Sequence, residues 1–494
     1  MSGLPSIADE DDSADEVLSF LRRTLEAPLP SSKDYVAITV GAPIDAPEKF
    51  LRLVPRYRGY LWRSPTTGDT FAGGGAAAAV TVRGPDRFHI LSRAVPRLFE
   101  RVASYAIDGR AQPPVLVGGA AFAPEGSPND LCWREFGEDE FTLPRWGYHR
   151  LRNVATITLT LRRDEIGSLL QTEAILVEAK RLLREFSDEP PTSLIARFDP
   201  EQCLVHQTTL DEWWDYLDNI RAALRSGEYQ KIVAARRATV ELEHPIEDSS
   251  FMARVWAAYP DCIHYAIRRP SSTFFGATPE TLFRKQGRRL ETHALAGTTR
   301  IKDDPASDST RDIAALQSSQ KDLDEHRYVV KKIASGLAPL TTKITHAPHP
   351  ETRQVRNLIH LQTPISAELL PRTTVFDLLE ALHPTPAVGG FPAREAAQWI
   401  ANNEPLARGW YSGTVGWIDA NGDGEFAVSI RCGVLTPQRA YVFAGAGIVE
   451  ASDTAAEYAE TAAKMWPILR ALGAPQAGLA DAAPPPVSER HIKV

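Results

Sequence analysis

The stretch SIRCGVLTPQRAYVFAGAGIVEASDTAAEYAETAAK (429–464) decides the fold prediction, because it predicts two β-strands, a glycine turn and a helix. The first strand covers 427–434, where apolar and polar residues alternate loosely, and the second covers 440–444, which is rich in β-forming residues. The Gly-Ala-Gly turn at 445–447 predicts a close approach of the backbone to another group, since glycine has no Cβ.

The helix at the end of this stretch carries a polar face. Ser452 and Asp453 offer N-cap oxygens to the alanine-rich segment that follows. Glu457, Glu460 and Lys464 are spaced i, i+3 and i+7, so they lie on one side of the helix. Such a face is often a solvated surface with a helical ion pair, and the pattern alone leaves its function open.

Composition excludes several classes of protein. The chain has 494 residues, 43% of them apolar and 24% charged, which is typical of a globular protein with one large domain or two to three ordinary ones. The net charge of −8, with basic residues interspersed, argues against a nucleic-acid partner. Four cysteines without CxxC spacing predict a reducing compartment. With no signal sequence and no long apolar run, we expect a cytoplasmic protein without membrane contact.

Alternating strand patterns with interspersed helices predict the α+β class, with large antiparallel sheets packed face to face and helices outside. Residues 1–30 are expected to be a flexible acidic segment, with a short helix at 17–25. We expect 31–204 to be the N-terminal part of one intertwined domain and 205–472 to be its catalytic region. Residues 473–494 are rich in alanine and proline, which predicts a disordered tail.

Three side chains are candidates for chemistry or for binding an anion. Lys231 lies in an apolar strand, where desolvation would lower the pKa of its amine and suit it as a general base; the alternative is a solvent-facing lysine. Glu280 follows a proline at the start of another strand and has the same two interpretations. Arg431 is predicted within the strand next to the glycine turn, where it is suited to bind a carboxylate.

A second acidic helix face is formed by Asp322 and Glu325, again spaced i and i+3. Together with Glu457 and Glu460 these side chains offer the hard oxygen ligands that Mg²⁺ prefers. Acidic helix faces are common, so the spacing by itself is weak evidence for a metal site.

Taken together, the motifs resemble those of the chorismate-utilising enzymes, which include isochorismate, anthranilate, aminodeoxychorismate and salicylate synthases. The resemblance spans about 205–472. The motifs that carry it are YQKIVAAR (229–236), ATPETLFR (277–284), ALAGTTR (294–300), KDLDEH (321–326), VRNLIHL (355–361), GWYSGTVGW (409–417), SIRCG (429–433), GAGIV (445–449) and EYAET with Lys464.

Within this family, LHPTPAVGGFP (382–392) resembles the isochorismate synthases, because anthranilate-type and salicylate synthases carry other sequences at this place. The resemblance implies Mg²⁺-dependent, reversible conversion of chorismate to isochorismate, which would feed menaquinone or siderophore biosynthesis. It also implies a monomer that needs no glutaminase subunit. Two alternatives stay open: a salicylate synthase, which also eliminates pyruvate, and a non-catalytic chorismate-binding paralogue.

The family's catalytic roles carry over by position. Lys231 resembles the general base that activates water for attack at C2 of chorismate, and Glu280 resembles the general acid that assists loss of the C4 hydroxyl. Glu325 and Glu460 match the Mg²⁺ ligands, with Asp322 and Glu457 as supporting acids. Further positions match residues that hold the substrate: Gly297, Thr298, His360, Tyr411, Arg431, Gly445, Ala446, Gly447 and Lys464.

Overall fold

The computed structural model describes residues 11–109, 112–124, 130–187, 204–300, 309–355 and 358–474. In this part of the chain, two large sheets of thirteen and ten strands are combined with helices, which confirms the predicted α+β class. The predicted C-terminal tail at 473–494 lies almost wholly outside the described residues.

The strands are, in chain order, β1 (Tyr35–Gly41), β2 (Tyr60–Arg63), β3 (Thr70–Gly74), β4 (Ala78–Val82), β5 (Val102–Ala106), β6 (Val115–Ala120), β7 (Asp139–Leu143), β8 (Trp146–Leu151), β9 (Val154–Arg162), β10 (Val205–Gln207), β11 (Lys231–Glu241), β12 (Ile263–Arg268), β13 (Thr273–Thr278), β14 (Thr281–Gln286), β15 (Arg289–Arg300), β16 (Thr341–His346), β17 (Glu351–Val355), β18 (Leu358–Leu369), β19 (Gly390–Phe391), β20 (Thr414–Asp419), β21 (Gly424–Val428), β22 (Cys432–Leu435) and β23 (Arg439–Ile448).

The helices are α1 (Asp11–Glu26), α2 (Pro47–Leu53), α3 (Arg87–Glu100), α4 (Leu169–Ser187), α5 (Leu210–Arg225), α6 (Asp248–Ala257), α7 (Ser309–Ser318), α8 (Gln320–Leu337), α9 (Val375–Leu382), α10 (Ala393–Asn403) and α11 (Thr454–Ala471). None of these helices is both long enough and apolar enough to cross a membrane.

The thirteen-stranded sheet has the order β10-β11-β23-β22-β13-β12-β2-β3-β8-β9-β1-β5, with β19 beside β11. The ten-stranded sheet has the order β16-β18-β15-β14-β21-β20-β6-β7-β4, with β17 beside β18. Among the described strand pairs, β1 and β5 are parallel and the others are antiparallel. Each sheet contains strands from both 31–204 and 205–472. In the thirteen-stranded sheet β2 pairs with β12, and in the ten-stranded sheet β6 pairs with β20.

The two sheets face each other across an aromatic core. Trp62 and Phe274 of the thirteen-stranded sheet pack in one buried cluster with Val117 and Val415 of the ten-stranded sheet. Helices α6 and α11 pack on the first sheet, and α3 and α9 pack on the second. The site described below lies where the chain passes between these sheets.

Helix α1 contains the short helix predicted at 17–25 and begins earlier, at Asp11, so the flexible acidic segment predicted for 1–30 is wrong for the residues before 17 that the structure describes. Val17, Leu21 and Leu25 recur every four residues and are at most 6% exposed, packed in one cluster with Ile175 and Ala179 of α4. This apolar stripe anchors the helix, although acidic residues dominate the composition of the segment.

Candidate functional site

Lys231 is the first residue of β11, and its neighbour in β19 is Phe391. Its side chain extends across Gly447 of β23. A Cβ added at Gly447 would lie 2.3 Å from Cε and 3.1 Å from Nζ of Lys231, so the glycine leaves the space that the lysine occupies. Because Gly447 has no side chain, the Lys231 amine can lie beside this part of β23.

This contact predicts the effect of Gly447→Ala. The added methyl group overlaps the Lys231 side chain, which is flexible enough to move, so the melting temperature is expected to stay close to that of the wild type. We expect kcat to fall at least about tenfold, because displacement of a reacting group by about 1 Å has a large effect on rate. Steady-state kinetics and thermal denaturation test this. Gly137→Ala, just before β7, is the comparison, because a Cβ there would meet only Thr81 Cγ2, at 3.4 Å. An unchanged kcat in Gly447→Ala would contradict the assigned position of the amine.

Glu280 lies where the chain crosses from β13 in one sheet to β14 in the other. Its backbone carbonyl accepts a hydrogen bond from the amide of Val428 at 3.0 Å, and its carboxyl Oε1 accepts one from Thr385 Oγ1 at 3.1 Å. Burial raises the pKa of the Glu280 carboxyl to about 7, against the opposing effects of Thr385 and the charge of Lys231. A carboxyl group that still holds its proton near neutral pH suits general acid catalysis.

The raised pKa of Glu280 also predicts how stability depends on pH. The unfolded carboxyl has its ordinary pKa near 4.5 and the folded one about 7, so the native state binds more protons between these values. The group therefore lowers stability progressively as pH rises through this window. Glu280→Gln removes the penalty and is expected to gain about 2 kcal/mol over wild type between pH 5 and pH 8. Urea unfolding at both pH values tests this; the exposed Glu243→Gln is the control, and equal gains in the two variants would contradict the prediction.

Arg431 lies at the second crossing between the sheets, between β21 and β22, and not within a strand as predicted. The chain must turn sharply to leave one sheet for the other, and Arg431 has a φ of 50°, in the left-handed region. Its carbonyl accepts a hydrogen bond from the amide of Ala277 at 3.1 Å. Its guanidinium reaches toward α11 and donates to the carbonyl of Lys464 at 3.4 Å.

The predicted glycine turn at 445–447 is wrong, because Gly445, Ala446 and Gly447 are residues of strand β23 and pair with Ala235, Ala234 and Val233 of β11. Pairing of β22 with β23 ends at Val442, so the other edge of 445–447 has no strand beside it in the described residues. The glycines serve close packing of side chains instead of a turn. Just as Gly447 accommodates Lys231, a Cβ at Gly445 would lie 2.8 Å from the Tyr411 hydroxyl.

Tyr411 is buried, at 3% exposed, with its ring stacked on Phe443 at 5.2 Å between centroids. Burial raises the pKa of its hydroxyl above the ordinary value, so the phenol stays neutral at neutral pH. Lys464 lies on the other side of the same strand segment, and its Nζ donates to the carbonyl of Gly445 at 2.8 Å.

Helix α11 presents the predicted polar face, and Asp453 caps it by accepting a hydrogen bond from the Ala456 amide at 2.8 Å. Lys464 Nζ lies 2.6 Å from a carboxylate oxygen of Glu460. Glu457 accepts a hydrogen bond from Ser452 Oγ at 2.9 Å. Burial raises the pKa of Glu457, and the negative charge of Glu460 raises it further. Two carboxylates that repel each other are a fitting place for a cation.

His360 in β18 lies close enough to Arg431 and Lys464 for their charges to affect its pKa. Burial lowers the pKa of His360 to about 4, and the positive charges of Arg431, Arg353 and Lys464 lower it further. The imidazole is therefore neutral at neutral pH and presents one donor and one acceptor nitrogen. Its partner in the sheet is Thr298 of β15, whose side chain lies outside the described residues.

Gly297 and Thr298 lie at a bulge within β15, where the register with β18 shifts between Ala296 and Thr298. Gly297 has a φ of +75°, and a Cβ there would lie 3.2 Å from the Asp322 Cβ of α8. The bulge thus lets α8 approach the sheet closely.

His326 fixes α8 at this place. One ring nitrogen lies 2.8 Å from Thr363 Oγ1 and the other 3.3 Å from the carbonyl of Ala296. The helix segment that carries Asp322 and Glu325 is thereby held beside the bulge. The Glu325 side chain is not among the described ones, and within the described part of the chain no three His, Cys, Asp or Glu side chains form a metal-binding group.

A family model for chorismate-binding enzymes matches residues 30–473. The chain belongs to this family. It is 32% identical to the isochorismate synthase MenF of Bacillus subtilis, over 73% of this chain and 75% of the relative. It is 33% identical to the salicylate biosynthesis isochorismate synthase of Pseudomonas aeruginosa, with the same coverage of 73% and 75%. The fold is similar to that of the menaquinone-specific isochorismate synthase MenF of Escherichia coli, with a TM-score of 0.76 and 24% identity over 93% of this chain and 99% of that one.

Two features of this chorismate-binding chain escaped the sequence analysis. Thr385, which hydrogen-bonds to Glu280, lies within the motif at 382–392, but nothing in the motif indicates that contact. Arg408 is 5% exposed and pairs with Glu404, and its guanidinium donates to the carbonyls of Val388 at 2.8 Å and Val233 at 2.7 Å. In the sequence, only the i, i+4 spacing of Glu404 and Arg408 indicates that they could pair.

Proposed function

We propose that this protein is an isochorismate synthase that converts chorismate reversibly to isochorismate, with Lys231 as general base and Glu280 as general acid. The observation that carries the assignment of roles is that burial raises the pKa of Glu280 to about 7, in a chain related over 73% of its length to isochorismate synthases. The charge of Lys231 acts on the Glu280 carboxyl, so the two groups share one site.

The reaction exchanges one hydroxyl for another. As general base, Lys231 takes a proton from a water molecule as the oxygen of that water forms a bond with C2 of chorismate. The ring double bond shifts, the bond between C4 and its oxygen breaks, and Glu280 gives its proton to the departing hydroxyl. Base and acid on separate segments of the chain allow the two proton transfers to occur at different ring carbons.

The positive and polar groups around β23 suit a substrate with two carboxylates. Arg431 and Lys464 supply positive charge, and the free edge of 445–447 supplies backbone groups. Tyr411 and neutral His360 offer hydrogen bonds without adding charge. We assign Gly297 and Thr298 to the wall around the ring.

Mg²⁺ is proposed as the cofactor, held by Glu325 and Glu460 with Asp322 and Glu457 beside them. The mutual repulsion of Glu457 and Glu460 fits a cation between α8 and α11. Bound Mg²⁺ would neutralise the ring carboxylate of chorismate, which four acidic side chains would otherwise repel. The protein's own part is to hold these carboxylates on two helices fixed to the sheets.

We further propose a cytoplasmic monomer without a glutaminase subunit, since the proposed nucleophile is water and not ammonia. A salicylate synthase remains the second candidate, because one related protein is named for salicylate biosynthesis. It is distinguished by its product.

The test is an end-point assay of purified protein with chorismate, in Mg²⁺ and in EDTA, with products separated chromatographically and pyruvate measured. We expect isochorismate in a mixture with chorismate, formed with Mg²⁺, absent in EDTA and without pyruvate. Salicylate with an equal amount of pyruvate would move the protein to the second candidate. Bound chorismate without any product would overturn the enzyme assignment.

A further inference from the structure

A small cavity lies against Glu280 on the side of the ten-stranded sheet. Strands β14 and β15, helix α8 and the segment around Thr385 line it, and its volume is about 40 Å³. A buried water needs roughly 10–15 Å³ of such space and two to four polar partners. The cavity therefore has room for about three water molecules, provided that polar groups line it.

Two buried nitrogen atoms in the cavity wall lack hydrogen bonds within the described residues. They are Nε2 of His293 in β15 and Nζ of Lys332 in α8. A buried polar group without a partner costs about 1–3 kcal/mol, and ordered water commonly satisfies such groups. With Glu280 and Thr385 in the same wall, the cavity offers water four polar groups.

The two residues suit proton transfer through water. Burial lowers the pKa of His293 to about 4, so the neutral ring has one donor and one acceptor nitrogen. Lys332 as a whole is partly exposed, although its Nζ is buried in the cavity wall. Burial also lowers the pKa of its amine, against the charge of Glu395 on α10, which makes a proton easier to release.

We propose that this cavity holds water that returns a proton to Glu280 after each turnover, and that Lys332 and His293 are the positioning residues of this route. The inference rests on the proposed function, in which Glu280 loses a proton in the forward direction. It adds two residues that do not touch the substrate.

A forward turnover leaves both catalytic groups in the wrong protonation state for the next one. Glu280 ends as a carboxylate and Lys231 as an ammonium, so neither is ready for the next chorismate. The Lys332 ammonium gives a proton to cavity water, which passes one to the Glu280 carboxylate, and Lys332 regains a proton from solvent. Lys231 releases its extra proton to solvent, and no net proton is consumed.

Lys332→Met tests the proposal, because it keeps most of the length of the side chain and removes the amine that carries the proton. The reset falls after product release and before substrate binds, so kcat is expected to fall about tenfold while kcat/KM for chorismate stays within about twofold. A small weak acid, imidazolium at increasing concentration, should restore kcat. An unchanged kcat would overturn the proposal, and so would a parallel loss of kcat and kcat/KM without rescue, which indicates a structural role.

Lys331→Met, an exposed neighbour on the same helix, is the matched control and should keep wild-type kinetics. His293→Leu is the second variant, judged by the same criteria if Lys332→Met does not fold. Wild-type protein is assayed first with chorismate. Absence of isochorismate there would contradict the proposed function, whereas normal wild-type turnover with an unaffected Lys332→Met contradicts the proton route alone.

Discussion

Replacement of Lys231 by alanine is expected to abolish turnover of chorismate, with a loss in kcat of about a thousandfold or more. The amine is the proposed acceptor of the water proton, and no other residue of β11 replaces it. The side chain lies across Gly447 and is not part of the apolar clusters, so the fold should survive its removal. Chorismate should still bind, since Arg431 and Lys464 are unchanged.

Kinetics, calorimetric binding of chorismate and thermal denaturation together check this result. Lys343→Ala, in exposed β16, removes a lysine far from the site and should retain wild-type activity. Near-normal rates in Lys231→Ala would show that another group is the base. Loss of folding in that variant would show that the lysine has a structural role that its contacts do not reveal.

Arg408→Met is expected to destabilise the protein by about 3–5 kcal/mol, because it leaves Glu404 as an unpaired buried charge. The side chains of both residues are at most 4% exposed. Glu404 also accepts hydrogen bonds from the Ala235 amide at 3.0 Å and the Tyr216 hydroxyl at 3.0 Å. Loss of Arg408 additionally frees the carbonyls of Val388 and Val233 beside the site.

Urea or guanidinium unfolding measures this effect. The double variant Glu404→Gln with Arg408→Met should be more stable than Arg408→Met alone, because the charge is removed along with its partner. Arg181→Met breaks an exposed pair with Glu185, also spaced i, i+4, and should leave the unfolding midpoint unchanged. If Arg408→Met and Arg181→Met had the same free energy of unfolding, burial of the Arg408–Glu404 pair would make no contribution to stability.

Local patterns predicted several elements closely. The apolar strand predicted around Lys231 is β11. The N-cap residues before the alanine-rich segment correspond to the start of α11 at Asp453. Capping and periodicity act within a few residues, so the sequence contains the whole cause of these features.

The sequence shows where the glycines are but not why each is needed. The turn predicted at 445–447 is a strand, and Gly297 lies at a bulge. The side chains of Lys231 and Tyr411 come too close to the Cβ positions of Gly447 and Gly445 for any other residue to fit there without displacing them, and at Gly297 the φ of +75° itself favours glycine. A glycine in the sequence indicates that a larger residue would not fit at that position, but it does not identify the group that lies there.

By itself, the sequence determined the α+β class, most helix and strand positions and the membership of a chorismate-binding family, because these follow from periodicity, capping and contiguous motifs. Only the tertiary structure places Glu280 and Arg431 at two crossings between the sheets. The two crossings are joined by backbone hydrogen bonds, in which the Val428 amide donates to Glu280 and the Ala277 amide donates to Arg431. The tertiary structure also decided that burial raises the pKa of Glu280 to about 7. Desolvation and charge pairing depend on residues far apart in the chain, which no local pattern brings together.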